Sequence, residues 1–165
     1  MLFRPLFSTL ALVSIPAFAA ELPRSGNDDY TATYVNTSTT VMKLPDGRTL
    51  STFEINGIMR NDSGGQMFSN MGSHCIGLRE ATGTDVTSRG SCVDMDTEGD
   101  QIISNFEYKS PKGVHTFVGG TGKYAGMTGT ADYTTTPMKS PDGRGMFMVN
   151  HKSNWKLPSE TAASK

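Results

Sequence analysis

The chain has 165 residues, 15 basic and 16 acidic groups and a net charge of −1, enough for one domain with a sizeable core. With no basic excess there is no field to draw a phosphate backbone, which argues against a nucleic-acid partner. Glycine is abundant, at 18 residues, and leucine is scarce, a balance that suits strands and turns better than packed helices.

Residues 1–20 read as a secretory leader. Arg4 supplies the basic end, and Leu6 to Phe18 is mostly apolar and too short to span a bilayer. Ala17-Phe18-Ala19, with Ala20 behind it, is a small-x-small exit. The expectation is a periplasmic or secreted protein starting near Glu21, with no membrane span. Without Arg4, 14 basic groups stand against 16 acidic ones.

Residues 21–35 are expected to form an arm, with Tyr30 to Tyr34 as a short alternating strand. A β-barrel domain over 36–157 and a polar tail over 158–165 complete the division. Thr39 to Leu44 and Thr49 to Ile58 make a hairpin across Pro45-Asp46-Gly47-Arg48. A turn centred on Asp46-Gly47 would put Met42, Leu44, Phe53 and Ile55 on one face. Gln66 to Leu78 reads as a long strand, and Asp85 to Met95 returns from it. Centring that hairpin on Gly83-Thr84 sets Cys75 opposite Cys92, close enough to bridge. An exported chain favours the disulfide. Closing such a loop stabilises by roughly 3 kcal/mol on the chain-entropy estimate.

Thr97-Glu98-Gly99-Asp100 is the next turn, and Gln101 to Tyr108 the next strand. Carrying the register across Glu98-Gly99 puts Phe68, His74, Ile76, Val93, Met95, Ile102, Phe106 and Tyr108 on one apolar face, the expected interior. Asp94 and Asp96 fall on the other. Val114 to Val118, Thr130 to Thr136 and Gly145 to Trp155 are the remaining strands. No stretch keeps a long 3.6-residue period, so the fold is all-β, and a closed barrel leaves no bare edges.

Gly119-Gly120-Thr121-Gly122-Lys123-Tyr124-Ala125-Gly126-Met127-Thr128-Gly129 organises the chain. It is no Walker loop, because Tyr124 and not Ser or Thr follows Lys123. It is no dinucleotide fingerprint, because the third glycine comes one place late and no helix follows. Gly119, Gly120, Gly122, Gly126 and Gly129 are expected to be structural. Together with the Asp94-Met95-Asp96-Thr97-Glu98-Gly99-Asp100 turn, this run resembles bacterial exported proteins of the allene oxide cyclase and dirigent-like barrels. The resemblance covers about residues 36–155. It implies a single antiparallel eight-stranded barrel with a ligand-sized lumen, in families that include cyclases, guides of radical coupling and members without known activity.

The acidic turn matches the first half of a calcium loop, but position twelve is Asn105 rather than glutamate. No metal or cofactor is expected. His74, placed among apolar side chains, is the candidate acid, base or ligand donor, with Tyr108 beside it; the alternative is a histidine satisfied by a backbone carbonyl. Phe106, Tyr108 and His74 are the expected ligand-binding residues. Asn36-Thr37-Ser38 and Asn61-Asp62-Ser63 are glycosylation sequons. Two functions stand: a barrel that binds a small apolar or aromatic molecule or serves an assembly, and a cyclase or isomerase acting on a hydrophobic substrate. A homodimer or homotrimer is compatible with both.

Overall fold

The computed structural model describes residues 22–159. Eight strands follow in order: β1 (Ser25–Lys43), β2 (Thr49–Asn61), β3 (Met71–Thr82), β4 (Asp85–Met95), β5 (Gln101–Lys109), β6 (Lys112–Gly120), β7 (Thr128–Met138) and β8 (Met146–Lys156). Each pairs antiparallel with the next, and β1 closes the barrel against β8. Alternation builds each wall: in β8, Val149, His151, Ser153 and Trp155 point inward while Asn150, Lys152, Asn154 and Lys156 face solvent. The leader and most of the tail lie outside the described residues. No helix among the described residues is long and apolar enough to cross a membrane.

The first strand begins at Ser25, so much of the expected arm is barrel wall, and Tyr30, Ala32 and Tyr34 are core residues. The stretch 66–70 is a loop and not the start of a strand. Phe68 and Asn70 there hold φ of +57° and +55°, which takes both out of the extended region. Phe68 turns into the barrel instead and stacks on Tyr30, ring centroids 4.2 Å apart. Asn61 pins this loop. Its Nδ2 donates to the Met67 carbonyl at 2.7 Å and to Asp28 Oδ1 at 2.9 Å, and Asp28 Oδ2 accepts the Trp155 indole N–H at 2.7 Å. Asn61 is therefore a buried structural residue, and its sequon is masked in the folded protein.

This loop, the 96–100 turn and the glycine run all lie at one end of the barrel, which is packed shut by Met67, Phe68, Tyr124, Met127 and Trp155. The glycine run takes positive φ at Gly119, Gly122, Gly126 and Gly129. It forms the end of β6, a 3₁₀ turn (Gly122–Tyr124) and the entry to β7. Gly122 has φ +51°, and a Cβ there would strike the Asp100 carboxylate. That close approach docks the run onto the acidic turn. The Lys123 N–H donates to Asp100 Oδ2 at 3.1 Å, and Lys123 Nζ reaches Asp96 Oδ2 at 2.6 Å and Glu98 Oε2 at 2.7 Å.

The other end carries the β1–β2, β3–β4, β5–β6 and β7–β8 connections. Two of these share a sequence. Thr39-Thr40-Val41-Met42-Lys43-Leu44-Pro45-Asp46-Gly47-Arg48 matches Thr135-Thr136-Pro137-Met138-Lys139-Ser140-Pro141-Asp142-Gly143-Arg144 at eight of ten positions. Each copy ends in the same Asp–Arg ion pair, at 2.8 Å in Arg48–Asp46 and 2.6 Å in Arg144–Asp142. The first loop is centred on Asp46 alone, since Lys43 pairs with Thr49. Met42 is therefore outward and exposed, and does not share the inward face of Phe53 and Ile55.

Candidate functional site

A cavity of about 390 Å³ opens at the hairpin end of the barrel. Six aromatic rings wall it: Tyr34 from β1, Phe53 from β2, Phe106 and Tyr108 from β5, Tyr133 from β7 and Phe147 from β8. Glycines on the neighbouring strands make room for them. A Cβ at Gly77 or Gly90 would come within 2.9 Å or 2.7 Å of the Phe106 ring. The Cys75–Cys92 disulfide, predicted from the hairpin register, is present and points inward, where both sulfurs' residues line the cavity. Tyr108 and Tyr133 stack at 6.0 Å, and the Tyr108 hydroxyl shares a hydrogen bond with Thr135 Oγ1 at 3.0 Å.

Beneath the disulfide lies a polar chain. The Ser73 hydroxyl donates to Asp94 Oδ1 at 2.6 Å, and the Tyr34 hydroxyl lies 3.1 Å from Ser73 Oγ. Tyr34 lines the cavity, so it joins the lumen to a buried carboxyl. Burial pushes Asp94 up to about 7, a rise that the Ser73 hydrogen bond only partly opposes. The same burial, and next to it the Asp94 charge, pushes the Tyr30 and Tyr34 hydroxyls well above the ordinary tyrosine value. His115 lines the cavity with Nδ1 at 3.1 Å from Ser104 Oγ, and burial lowers it to about 4. His151 stacks flat on Tyr30 at 4.1 Å. Among the described residues no side chain hydrogen-bonds its ring nitrogens; the Tyr30 and Val149 backbones are their polar neighbours. Burial and then the adjacent His115 push it well below the ordinary histidine value, so both imidazoles are neutral near pH 7. The site thus combines an aromatic slot, a neutral histidine facing it and a protonatable acid one relay away.

No protein-family model matches the sequence, and no curated protein matches it either. Solved structures do. The pterocarpan synthase dirigent protein GePTS1 superposes with a TM-score of 0.51 at 11% identity, over 92% of this chain and 100% of that one. The pterocarpan synthase dirigent protein PsPTS1 gives a TM-score of 0.51 at 11% identity, over 84% of this chain and 99% of the other. The fold is the dirigent-like barrel. At such identity the likeness carries the fold alone, and the chemistry of the lumen has to be read from this chain's own residues.

Within this dirigent-like barrel, Phe106 and Tyr108 face the lumen as expected. His74 does not. Its side chain is 57% exposed on the outer face, with Nε2 3.9 Å from Glu54 Oε2. Ile76, Val93 and Met95 are outward with it, while Ser73, Cys75, Cys92 and Asp94 are inward. One residue causes the exchange. The β4–β5 loop closes Met95 onto Gln101, a centre on Glu98 alone, with Gly99 at φ +90°. The even turn assumed from composition pairs Met95 with Ile102 and reverses the faces of β3 and β4 relative to β5. Counting apolar residues reinforced the error, because the interior of these two strands holds an acid and a serine. With the odd loop, alternation alone places Asp94 beside Ile102, inside the barrel. His115 and His151 carry no local motif, and nothing in the sequence brings them together before the barrel closes. The carboxylates of Asp96, Glu98 and Asp100 do converge, and the Lys123 ammonium lies against two of them.

Proposed function

We propose that this barrel is an exported receptor for a small, flat, largely aromatic molecule bound in the lumen. The observation that carries the reading is the cavity of about 390 Å³ walled by six aromatic rings and open at one end. That size and character match small-molecule sites in general. The inward Cys75–Cys92 disulfide fits an oxidising compartment, and export remains part of the proposal. The test is a titration with the neutral fluorescent probe N-phenyl-1-naphthylamine. Saturable binding to the wild type and its loss in Ser88→Trp, which fills the mouth, support the reading. Binding that is unsaturable, or indifferent to Ser88→Trp, refutes it. Native mass spectrometry of protein from its own host identifies the retained ligand and counts the subunits of a proposed homo-oligomer.

The Tyr34–Ser73–Asp94 chain favours a second reading, a cyclase or isomerase acting on a hydrophobic substrate. When Asp94 is protonated the bond to Ser73 can reverse: the Asp94 O–H donates to Ser73, Ser73 to Tyr34 and Tyr34 to a bound molecule, so each hydroxyl receives one proton as it gives one up and Asp94 is left as the carboxylate. Incubating the ligand recovered from the host with wild type and with Asp94→Asn separates the two readings. Conversion by the wild type only supports catalysis; no conversion by either leaves a receptor.

A further inference from the structure

Among the described residues the cavity wall carries one permanent charge. Among the described residues no aspartate or glutamate lines it, and His115 is neutral. The remaining ionisable side chain with a fixed charge is Arg79, which follows the inward parity of Met71, Ser73 and Cys75 along β3. Its partners across the sheet are Ser51 on β2 and Ser88 on β4, both also lining the mouth. Arg79 has no ion-pair or hydrogen-bond partner among the described residues. Other arginines at this end are tied down: Arg48 reaches Asp46 at 2.8 Å and Glu80 at 2.9 Å, and Arg144 reaches Asp142 at 2.6 Å. An unpaired guanidinium, flanked by hydroxyls and set above an aromatic slot, is a ready anion clamp.

Resting on the lumenal-binding reading above, we infer that the ligand is an aromatic molecule bearing an anionic head, a carboxylate or sulfonate, held by Arg79 at the cavity mouth. The dimensions agree. Arg79 lies four positions along β3 from Cys75 at the floor, a span of roughly 13 Å along a strand. One or two rings with an acidic substituent fill that length, rings against Phe53 and Phe106 and acid against Arg79. The neutral interior selects against a second charge deeper in the molecule, because no counter-ion meets it there.

A matched pair of probes tests this on the full chain. N-phenyl-1-naphthylamine is neutral, and 1-anilinonaphthalene-8-sulfonate is the same skeleton with one anionic group. The wild type is expected to hold the sulfonate more tightly, and Arg79→Gln to weaken it by on the order of tenfold while leaving the neutral probe within twofold. Added salt should narrow the wild-type preference. Arg89→Gln, an outward arginine on β4, is the control and should change neither. Equal affinities of Arg79→Gln and wild type for the sulfonate overturn the inference while lumenal binding stands. Equal loss of both probes in Arg79→Gln overturns it as well, since it marks a structural role. Failure of the wild type to bind either probe removes the receptor reading and this one together.

Discussion

Asp94→Asn should make this protein more resistant to alkali, by an amount that the burial of one carboxyl sets. Asp94 is 3% exposed and meets Ser73 from β3, Ile102 from β5 and the raised hydroxyls of Tyr30 and Tyr34 from β1. Its folded value of about 7 lies above that of an unfolded aspartate. The folded chain therefore holds the proton more tightly, so stability is fullest below the unfolded value and is lost as pH rises through the folded one. A gap of roughly three units corresponds to about 4 kcal/mol, all of it missing above pH 7. Between pH 5 and pH 8 the wild type should lose about 2–3 kcal/mol that the asparagine variant keeps. For a domain of this size that is roughly 6–12 °C in melting temperature. Urea and thermal melts of both proteins at the two pH values measure it. Other titrating groups are common to both and cancel in the comparison, and the fixed cost of burying an amide shifts the offset without touching the slope. Identical pH slopes for the two proteins would refute the claim that Asp94 is a buried, proton-holding acid.

Gly122→Val should cost about 2–4 kcal/mol, since it forces a β-branched side chain into φ +51° and onto the Asp100 carboxylate; an unchanged urea midpoint would contradict the close approach. Replacing Cys75 and Cys92 together by alanine should cost roughly 3 kcal/mol, and non-reducing peptide mapping of the wild type should recover the two cysteine peptides linked. His74→Ala should shift stability by less than about 0.5 kcal/mol and leave probe affinity unchanged, because its ring is outside the barrel. A large loss of binding in that variant would return His74 to the site.

How much of this was legible in the sequence depended on loop parity. The β3–β4 hairpin has an even loop, Thr82 pairs with Asp85, and the Cys75–Cys92 bridge followed from it. The β1–β2 and β4–β5 loops have odd centres on Asp46 and Glu98, and at both the assumed face was wrong. A strand carries a period of two, so an error of one residue inverts every side chain on it while leaving strand limits nearly untouched. Closure into a barrel survived these slips because it depends on the number of strands and on the absence of a free edge. The site did not survive, since it depends on which face each residue takes. Tyr34 differs: its sequence context reads as a short strand in an arm, which hides that it walls the cavity. The repeated Thr-Thr-x-Met-Lys-x-Pro-Asp-Gly-Arg segments are legible in the sequence and mark two hairpins of the same barrel end.

The distribution of polar groups along the barrel axis bears on which function the lumen serves. The closed end is conventionally packed, with Phe68, Met127 and Trp155 fully buried and the Asp28–Asn61–Met67 links satisfied. The next layer is not. Asp94, raised by burial, should destabilise the folded chain by about 4 kcal/mol above pH 7, and His151 is 2% exposed with no side-chain hydrogen-bond partner among the described residues. Ile102, directly across the sheet from Asp94, shows that an aliphatic side chain fits at that level. Stability alone is therefore a poor reason for an acid and a neutral imidazole there. The cost falls at one level of the barrel, immediately beneath a cavity floor that Tyr34 connects to Asp94 through Ser73. The aromatic slot alone serves the receptor reading, and the acid under its floor is the feature that the second reading, chemistry on a bound molecule, would draw on. Asp94→Asn therefore separates the two proposed readings: a receptor keeps its affinity and has no conversion to lose, whereas a cyclase or isomerase working through this relay keeps affinity and loses conversion.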